Sequence, residues 1–156
     1  MVGVHAVEKN DGIAKITVGK VPHEAGVAYR IFATLADRGV DVDLILQTEL
    51  RGQFCDIVFT VKKTDSERAK SLLQDLFKDN PETYTSVEDR IVKITVSGDG
   101  MQGRPGVAAE VFRCLYDSGV HILGISTSEI RISLLVAENE AETAFRTITE
   151  SFEIEI

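Results

Sequence analysis

Two segments of the chain place small residues at the predicted start of a helix, where an anion can bind. They read Gly26-Val27-Ala28 and Gly106-Val107-Ala108. The first amide N–H groups of a helix have no acceptor within the helix, and the helix dipole favours negative charge at that end. The carboxylate of a free amino acid would fit there, and Glu24, Gln47 or Glu129 could receive its ammonium group. The same glycines could instead serve only to pack each helix tightly against a sheet.

A polar segment marks the predicted turn between two strands late in the chain. Residues 126–133 read Ser-Thr-Ser-Glu-Ile-Arg-Ile-Ser, which combines four hydroxyls with the carboxylate of Glu129. Because side chains alternate between the two faces of a strand, Ile130 and Ile132 point away from Glu129 and Arg131. An ordinary β-turn can also be this polar, so the segment by itself does not require a ligand.

Residues 98–103 suggest a different chemistry. They read Gly-Asp-Gly-Met-Gln-Gly, the G-x-G-x-x-G pattern that stands between a strand and a helix in dinucleotide-binding proteins. A dinucleotide-binding protein, such as a nucleotide-dependent oxidoreductase, is therefore an alternative function. That fold needs a longer parallel run of strands and helices, whereas here one helix is followed by two strands in succession. Glycines that only turn the chain are a better interpretation, and a helix start that binds a carboxylate is better still.

The remaining reactive side chains form no catalytic or metal-binding pattern. His5, His23 and His121 lack ligand spacing among themselves and with Cys55 and Cys114. No nucleophile stands beside a base, and the sequence contains no P-loop. We therefore expect no cofactor, no metal and no catalytic site in this chain. Two unpatterned thiols suit a reducing compartment.

The elements that must position these residues occur twice. Segment 26–40 returns as segment 106–120, with Gly, Val, Ala, Phe, Leu, Asp, Gly and Val in step, and the Lys-Ile-Thr-Val of 15–18 returns at 93–96. Self-similarity at so long a period indicates a duplicated folding unit. We predict a first domain over residues 13–88 and a second domain over residues 1–8 plus 90–156.

Hydrophobic periodicity predicts the same element order in both copies. The predicted strands are 13–18, 42–47, 55–61 and 84–87 in the first copy and 91–97, 122–127 and 130–136 in the second. One helix follows Gly26 and its counterpart covers 106–118. Thr64 with Glu67, and Asn139 with Glu142, have the spacing of caps for the other two helices. This β-α-β-β-α-β order predicts an α+β, ferredoxin-like domain with both helices on one face of an antiparallel sheet.

The second copy lacks a long last strand. Only residues 153–156 follow its final helix, while Val2, Val4 and Ala6 alternate at the other end of the chain without a role in the first copy. We therefore predict that an N-terminal strand over 2–7 completes the second domain and interlocks the two.

Length and charge narrow the range of functions. A chain of 156 residues divided in two gives small domains with marginal cores, which favours an oligomer. The net charge of −8, with no basic stripe, argues against binding nucleic acid or an anionic membrane. Neither a signal segment nor a bilayer-length apolar run is present, which predicts a cytoplasmic protein.

The duplication and three motifs together resemble the tandem ACT regulatory region of aspartate kinases over nearly the whole chain. The motifs are Gly98-Asp99-Gly100-Met101, Pro105-Gly106-Val107-Ala108-Ala109 and residues 126–133. The resemblance implies two ACT domains that form the regulatory part or small (beta) subunit of such an enzyme, with threonine or lysine as feedback inhibitor. It also implies the kinase catalytic domain or large subunit as a partner, and we expect a homodimer of the regulatory region.

The helix starts and the resemblance together define the predicted effector-binding residues. They are His23, Glu24, Ala25, Gly26, Val27, Ala28, Gln47, Thr48, Met101, Gly106, Val107, Ala108, His121, Ile122, Ser126, Thr127, Ser128 and Glu129. We expect the ligand to bridge a helix start of one copy and a strand of the other.

Three segments differ from the family pattern. The first loop commonly reads Pro-Asp-x-Pro-Gly but here reads Pro22-His23-Glu24-Ala25-Gly26. The second strand ends in Thr48 where Asn is usual, and His121 also stands where Asn is usual. These positions commonly contribute polar contacts to the effector, so the identity of the ligand stays open. A ligand-free structural or oligomerisation ACT module is the other alternative.

Overall fold

The computed structural model of the protein describes residues 3–99 and 103–153, except for the side chains of Gln47 and Glu49. The chain divides into two compact units, Gly12–Asp89 and the residues on either side of it. In chain order the strands and α-helices are β1 (Ala6–Asn10), β2 (Ile13–Pro22), α1 (Val27–Asp37), β3 (Val42–Arg51), β4 (Phe54–Lys62), α2 (Ser66–Leu76), β5 (Tyr84–Glu88), β6 (Ile91–Ser97), α3 (Pro105–Asp117), β7 (Gly124–Ser128), β8 (Arg131–Ala137) and α4 (Ala141–Ser151).

The unit Gly12–Asp89 is an antiparallel sheet with two helices on one face. Its strand order is β3-β4-β2-β5. Helix α1 forms because Val27, Ile31 and Leu35 recur every fourth residue, and all three are buried. They belong to one hydrophobic cluster with alternate residues of β2 and β4 and with Leu73 of α2. The cluster fixes both helices on the same side of the sheet.

The other unit repeats this arrangement and uses the N-terminal strand as its fourth strand. Its order is β1-β6-β8-β7, and β1 pairs antiparallel with β6 so that Ala6 lies opposite Ser97. Strand β1 thereby takes the edge position that β5 has in the first unit. The prediction of an α+β protein with two ferredoxin-like domains, interlocked through this strand, is confirmed.

The predicted bounds of the first strand were wrong. We expected residues 2–7, whereas β1 covers Ala6–Asn10; Met1 and Val2 lie outside the described residues, as do 154–156 of the predicted last run. The alternation of Val2, Val4 and Ala6 was misleading because the buried pair is Val4 and Val7, whose spacing of three does not fit a strand.

The predicted caps of α2 and α4 were also wrong. A 3-10 turn at Lys63–Asp65 precedes α2, and a second one at Glu138–Glu140 precedes α4. Each turn places the predicted capping residue inside itself, so that α2 begins at Ser66 with no side-chain cap described. Glu142 instead accepts a hydrogen bond of 2.6 Å from Lys9 Nζ, which links α4 to β1.

A glycine in the second unit allows two backbone segments to approach closely. A Cβ added to Gly98 would lie 1.9 Å from the carbonyl oxygen of Gly3. The neighbouring His5 N–H donates to Ser97 O at 3.0 Å, which holds the N-terminal segment in this position. Residue 98 must therefore lack a side chain if that segment is to lie where it does.

We expect Gly98→Ala to lower the free energy of unfolding by about 1–3 kcal/mol, the usual range for overpacking. Urea unfolding followed by circular dichroism measures it. Gly106→Ala is the matched control: it lies in α3 with nothing among the described residues within 4 Å of an added Cβ, so alanine should stabilise the helix by about 0.5–1 kcal/mol. A Gly98→Ala protein as stable as the wild type would contradict the close approach.

Candidate functional site

A cleft of about 340 Å³ lies in the second unit between the start of α3 and the turn that joins β7 to β8. We call it the α3–β7 cleft. Its lining residues are Gly103, Arg104, Val107, Ala108, Thr127, Ser128, Glu129 and Ile132. The two regions that sequence analysis selected for separate reasons, a helix start and a hydroxyl-rich turn, therefore lie side by side.

Strand pairing brings these two regions together. Both β6 and β7 pair antiparallel with β8, and their last residues, Ser97 and Ser128, both lie opposite Arg131. The two strands consequently run parallel to each other, and their carboxyl ends share one end of the sheet. Because the chain leaves β6 at that end to enter α3, the helix must begin beside the end of β7.

The first turn of α3 has an open amide group beside the cleft. Arg104 occupies the N-cap position and Pro105 the first helical position, and no described side chain caps the helix. The N–H of Val107 is satisfied by the carbonyl of Arg104 at 3.2 Å. Helix geometry leaves the N–H group of Gly106, the second helical residue, without an acceptor inside the helix. This end of the cleft favours an anion.

The opposite wall carries hydroxyls and a carboxylate. Thr127, Ser128 and Glu129 are exposed at the end of β7. Hydroxyls can both donate and accept hydrogen bonds, and an ionised carboxylate accepts them from an ammonium group. Val107 and Ile132, only 1% and 3% exposed, give the cleft an apolar floor. The cleft thus offers an anion-binding end and a cation-binding end above a floor that suits a short aliphatic chain.

Sequence analysis missed Gly103, Arg104 and Ile132. Arg104 matters most because its guanidinium adds a permanent positive charge at the anion-binding end. A signal for it existed in the duplication: aligning segment 26–40 with segment 106–120 places Arg104 opposite Glu24. The two copies therefore carry residues of opposite charge two positions before the glycine that they share, Gly26 or Gly106.

The predicted residues of the first unit lie at the start of α1 and on β3. His23, Glu24, Ala25 and Gly26 form an exposed loop, and Gly26 is the N-cap with φ of 86°. Val27 is buried, Ala28 is exposed, and Thr48 is exposed on β3, whereas the side chain of Gln47 is outside the description. Their participation in binding stays a prediction.

His121 lies at the other end of the sheet from the α3–β7 cleft, before the start of β7. Its N–H donates to Glu140 Oε2 at 2.9 Å, and its ring Nδ1 lies 3.1 Å from Glu140 Oε1. The backbone and ring hydrogen bonds from His121 hold the pKa of Glu140 below its ordinary value. The pair ties the loop before β7 to the turn before α4.

Three further predicted residues, Gly106, Ile122 and Ser126, also lie outside the cleft lining. Ile122 packs against the core of the second unit, and Ser126 lies opposite Ser133 in the β7–β8 pair. Met101 lies outside the described residues. A role for any of them in binding stays a prediction.

The loop 98–103 does not have the surroundings that a dinucleotide site needs. Every strand pair among the described residues is antiparallel, whereas the dinucleotide fold requires parallel strands around a crossover helix. Gly98 has a structural role of its own against Gly3. Residues 100–102 lie outside the description.

A protein-family model of the ACT domain matches the chain twice, over residues 16–77 and 94–152. The chain belongs to the ACT domain family. Each match covers one of the two units and includes both of its helices. In the second ACT domain, the match includes the whole lining of the α3–β7 cleft.

The two ACT domains are similar to parts of aspartate kinases in both sequence and structure. The chain is 36% identical over 151 residues to the aspartokinase of Corynebacterium glutamicum, covering 96% of this chain and 35% of that protein. It resembles the regulatory subunit of aspartate kinase from Thermus thermophilus in its ligand-free form, with a TM-score of 0.89, 29% identity, and coverage of 96% of this chain and 99% of that one. A structure of aspartokinase alpha and beta subunits matches with a TM-score of 0.86 and 34% identity, covering 97% of this chain and 99% of the other.

These likenesses confirm the resemblance drawn from the sequence and support an allosteric regulatory module. The tandem ACT domains span about a third of the length of the curated aspartokinases that they match. Among the described residues, no helix is both long and apolar enough to cross a membrane. Within residues 3–99 and 103–153, no three or more His, Cys, Asp or Glu side chains are grouped to hold a metal ion.

An ion cluster fixes α3 against α4 and so helps to position the helix start at the cleft. Glu110 of α3 accepts hydrogen bonds from Arg113 of the same helix and, at 2.5 Å, from Ser151 Oγ of α4. These bonds lower the pKa of Glu110 to about 2. Since the ordinary pKa is 4.5, the carboxylate contributes to stability above pH 4.5 and loses that contribution as the pH falls towards 2.

We expect Glu110→Gln to lower the melting temperature at pH 7, because the neutral amide loses the charge-assisted bonds. The gap between variant and wild type should narrow steadily between pH 4.5 and pH 2, the two ends of the titration of Glu110. Thermal unfolding at half-unit pH steps measures the gap, and Glu150→Gln on the exposed side of α4 controls for the loss of a surface charge. A gap that stayed constant across this window would show that ionised Glu110 does not stabilise the fold.

Proposed function

We propose that this chain is the amino-acid-binding regulatory region of an aspartate kinase, and that threonine or lysine bound at the α3–β7 cleft inhibits the kinase by feedback. The observation that carries the proposal is the juxtaposition of an uncapped helix start and Arg104 with the polar wall of Thr127, Ser128 and Glu129. A free amino acid carries the complementary pair of charges. A volume of about 340 Å³ is also within the range of clefts that hold small molecules.

The α-carboxylate lies at the start of α3. Its oxygens accept from the open N–H group of Gly106 and face the guanidinium of Arg104, so both the helix dipole and a side chain stabilise the charge. Apart from the neighbouring residues and the backbone of α3 itself, no described atom lies within 4 Å of a Cβ built on Gly106, so the space beside the first turn is open.

The ammonium group and the side chain of the ligand lie along the end of β7. Glu129 balances a positive charge, and the hydroxyls of Thr127 and Ser128 pair with a ligand hydroxyl or ammonium group. A threonine would use its hydroxyl here, whereas a lysine would extend its aliphatic chain over Val107 and Ile132 towards a carboxylate. Both ligands form polar contacts with Thr127, Ser128 and Glu129, so these residues favour polar amino acids over purely aliphatic ones.

Inhibition follows if the ligand binds one arrangement of the two ACT domains more tightly than another. A ligand shifts such an equilibrium only by its difference in affinity for the two states. In our proposal, the residues from His23 to Ala28 and Thr48 are the corresponding effector-binding residues of the first unit, at the start of α1 and on β3. The kinase catalytic domain or large subunit reads out the change, in the cytoplasm and as a homodimer of the regulatory region.

The proposal predicts specific binding of threonine or lysine. Ligand at one hundred times its dissociation constant should stabilise the native state by about 2.7 kcal/mol, visible as a rise in melting temperature. Thermal shifts across all twenty amino acids, followed by calorimetry, measure it. A flat response to all twenty would contradict the proposal and favour the ligand-free structural module, while saturable binding of NAD instead would favour a dinucleotide-binding protein.

Substitutions in the cleft test the site itself. Glu129→Gln should weaken binding about tenfold or more, because a hydrogen bond to a charged group contributes about 1.5–3 kcal/mol. Thr127→Val and Ser128→Ala should each weaken it about two- to tenfold, as expected of neutral hydrogen bonds. Ser86→Ala, an exposed serine on edge strand β5, is the matched control and should bind as the wild type does. Unchanged affinity in all three cleft variants would place the amino acid elsewhere.

The proposed kinase partner predicts that this chain accompanies a catalytic polypeptide in its source cell. Affinity purification of the endogenous protein, followed by intact mass and ATP-dependent aspartate phosphorylation, tests the association. Either a longer single chain or a stable complex of two chains agrees with the proposal. A regulatory chain recovered alone, with no aspartate kinase activity inhibited by threonine or lysine, would contradict it.

A further inference from the structure

Strand β2 of the first unit contains a bulge that its counterpart in the second unit lacks. Val18 lies opposite Ile57 and Val21 opposite Cys55, so that Gly19 and Lys20 together face the single residue Asp56. In the second unit, β6 pairs with β8 from Ile91 to Ser97 without a shift in register. An extra residue bends the bulged strand and re-aims the chain that follows it.

The bulge holds Lys20 in a backbone conformation that side chains rarely adopt. Its φ is 54°, in the left-handed region that favours glycine. Such a conformation persists only where the surroundings enforce it, and such positions cluster near binding sites. Lys20 is exposed, so its own side chain does not supply this restraint through core packing.

Two side chains hold the bulge, one on each side of β2. Asp56 on β4 accepts a hydrogen bond of 2.9 Å from the N–H of Lys20. Thr83, just before β5, donates its hydroxyl to the carbonyl oxygen of Lys20 at 2.8 Å. The polar groups of the peptide backbone at Lys20 are thereby both bound by side chains rather than by the regular ladder of the sheet.

The segment directly after the bulge is the loop that leads into α1. Val21 and Pro22 rejoin the pairing with β4, and the N–H of His23 donates to Gln53 O at 2.8 Å. The next residues, 23–26, are the exposed loop at the start of the helix. The direction in which β2 leaves the bulge therefore sets the position of that loop.

We propose that Asp56 and Thr83 are positioning residues for the first unit's effector loop: by holding Lys20 in the left-handed bulge they aim residues 23–26 for ligand binding. This inference rests on the proposed function and extends it to two residues that do not touch the ligand. It also distinguishes the two ACT domains, since β6 pairs with β8 from Ile91 to Ser97 without a bulge.

Amide hydrogen exchange at Lys20 and across residues 23–26 tests, without any ligand, whether Asp56 and Thr83 position the loop. In the full chain, Asp56→Ala should speed amide hydrogen exchange at Lys20 and across 23–26, measured by NMR. Asp56→Asn retains an acceptor oxygen and should keep the wild-type pattern. Adding Lys20→Gly to Asp56→Ala should restore slow exchange across 23–26, because glycine adopts a positive φ without the penalty of a side chain.

Affinity for threonine and lysine, measured by calorimetry on the same variants, tests the functional consequence. Asp56→Ala should weaken binding of whichever amino acid the wild type binds by about tenfold, and Asp56→Asn and the Lys20→Gly double variant should recover it. Thr83→Val should weaken binding about threefold. It replaces Asp56→Ala as the test variant if Asp56→Ala does not fold. Ser66→Ala removes a 2.8 Å hydrogen bond to Lys63 O at the far end of the same sheet and should leave affinity unchanged.

The possible failures are distinct. If the wild type binds neither amino acid, the proposed function fails, and the exchange data alone decide whether Asp56 and Thr83 position the loop. If the wild type binds but Asp56→Ala and Thr83→Val bind equally well, the inference is overturned while the proposed function stands. Equal loss of affinity in Ser66→Ala would also overturn it, because general destabilisation would then explain the effect.

Discussion

The geometry of the second ACT domain depends on one constraint of strand pairing. Strands β6 and β7 lie on either side of β8 and antiparallel to it, so both must end at the same end of the sheet. A helix of 13 residues spans about 20 Å, close to the length of the seven-residue strand beside it, and so returns the chain to the other end. The start of α3 is consequently fixed beside the end of β7. Residues at these two points of the second ACT domain are therefore brought close together, and they line the α3–β7 cleft.

The two copies keep this constraint and differ in what they attach to it. Both retain the Lys-Ile-Thr-Val strand and the buried stripe of the first helix, which the fold requires. They differ just before the helix, where one copy carries Glu24 and the other Arg104. They also differ in the strand before it, where β2 is bulged and β6 is not. Duplication of a domain preserves packing positions because a core residue has many neighbours. Loop residues have few, and so they are free to acquire different roles.

The architecture was predicted well because the long repeat of the sequence and the alternation of hydrophobic residues within each strand indicate the same fold. The repeat gave the number of units, and alternation within strands gave the pairing faces, so that β6 was predicted with the bounds it has, Ile91–Ser97. Helix starts were harder: at α2 and α4 a 3-10 turn displaced the expected caps, a local choice that composition does not encode. Thr127, Ser128 and Glu129 were found through their density of polar groups. Arg104 was missed because an N-cap is usually a small polar residue. The bulge at Lys20 was missed because the predicted strand ended at residue 18, whereas β2 continues to Pro22.

The pairing of β1 with β6 also affects how the protein folds during synthesis on the ribosome. Strand β1 is synthesised before its partner β6, which follows only after the whole of Gly12–Asp89. At translation rates of about 5–20 residues per second, the first strand waits for several seconds while the intervening domain folds. Its charged edge, with Glu8 and Lys9 exposed, keeps it from premature pairing with other strands during that delay. Closing this long loop late, after its contents are already compact, lessens the entropy that a distant contact would otherwise demand.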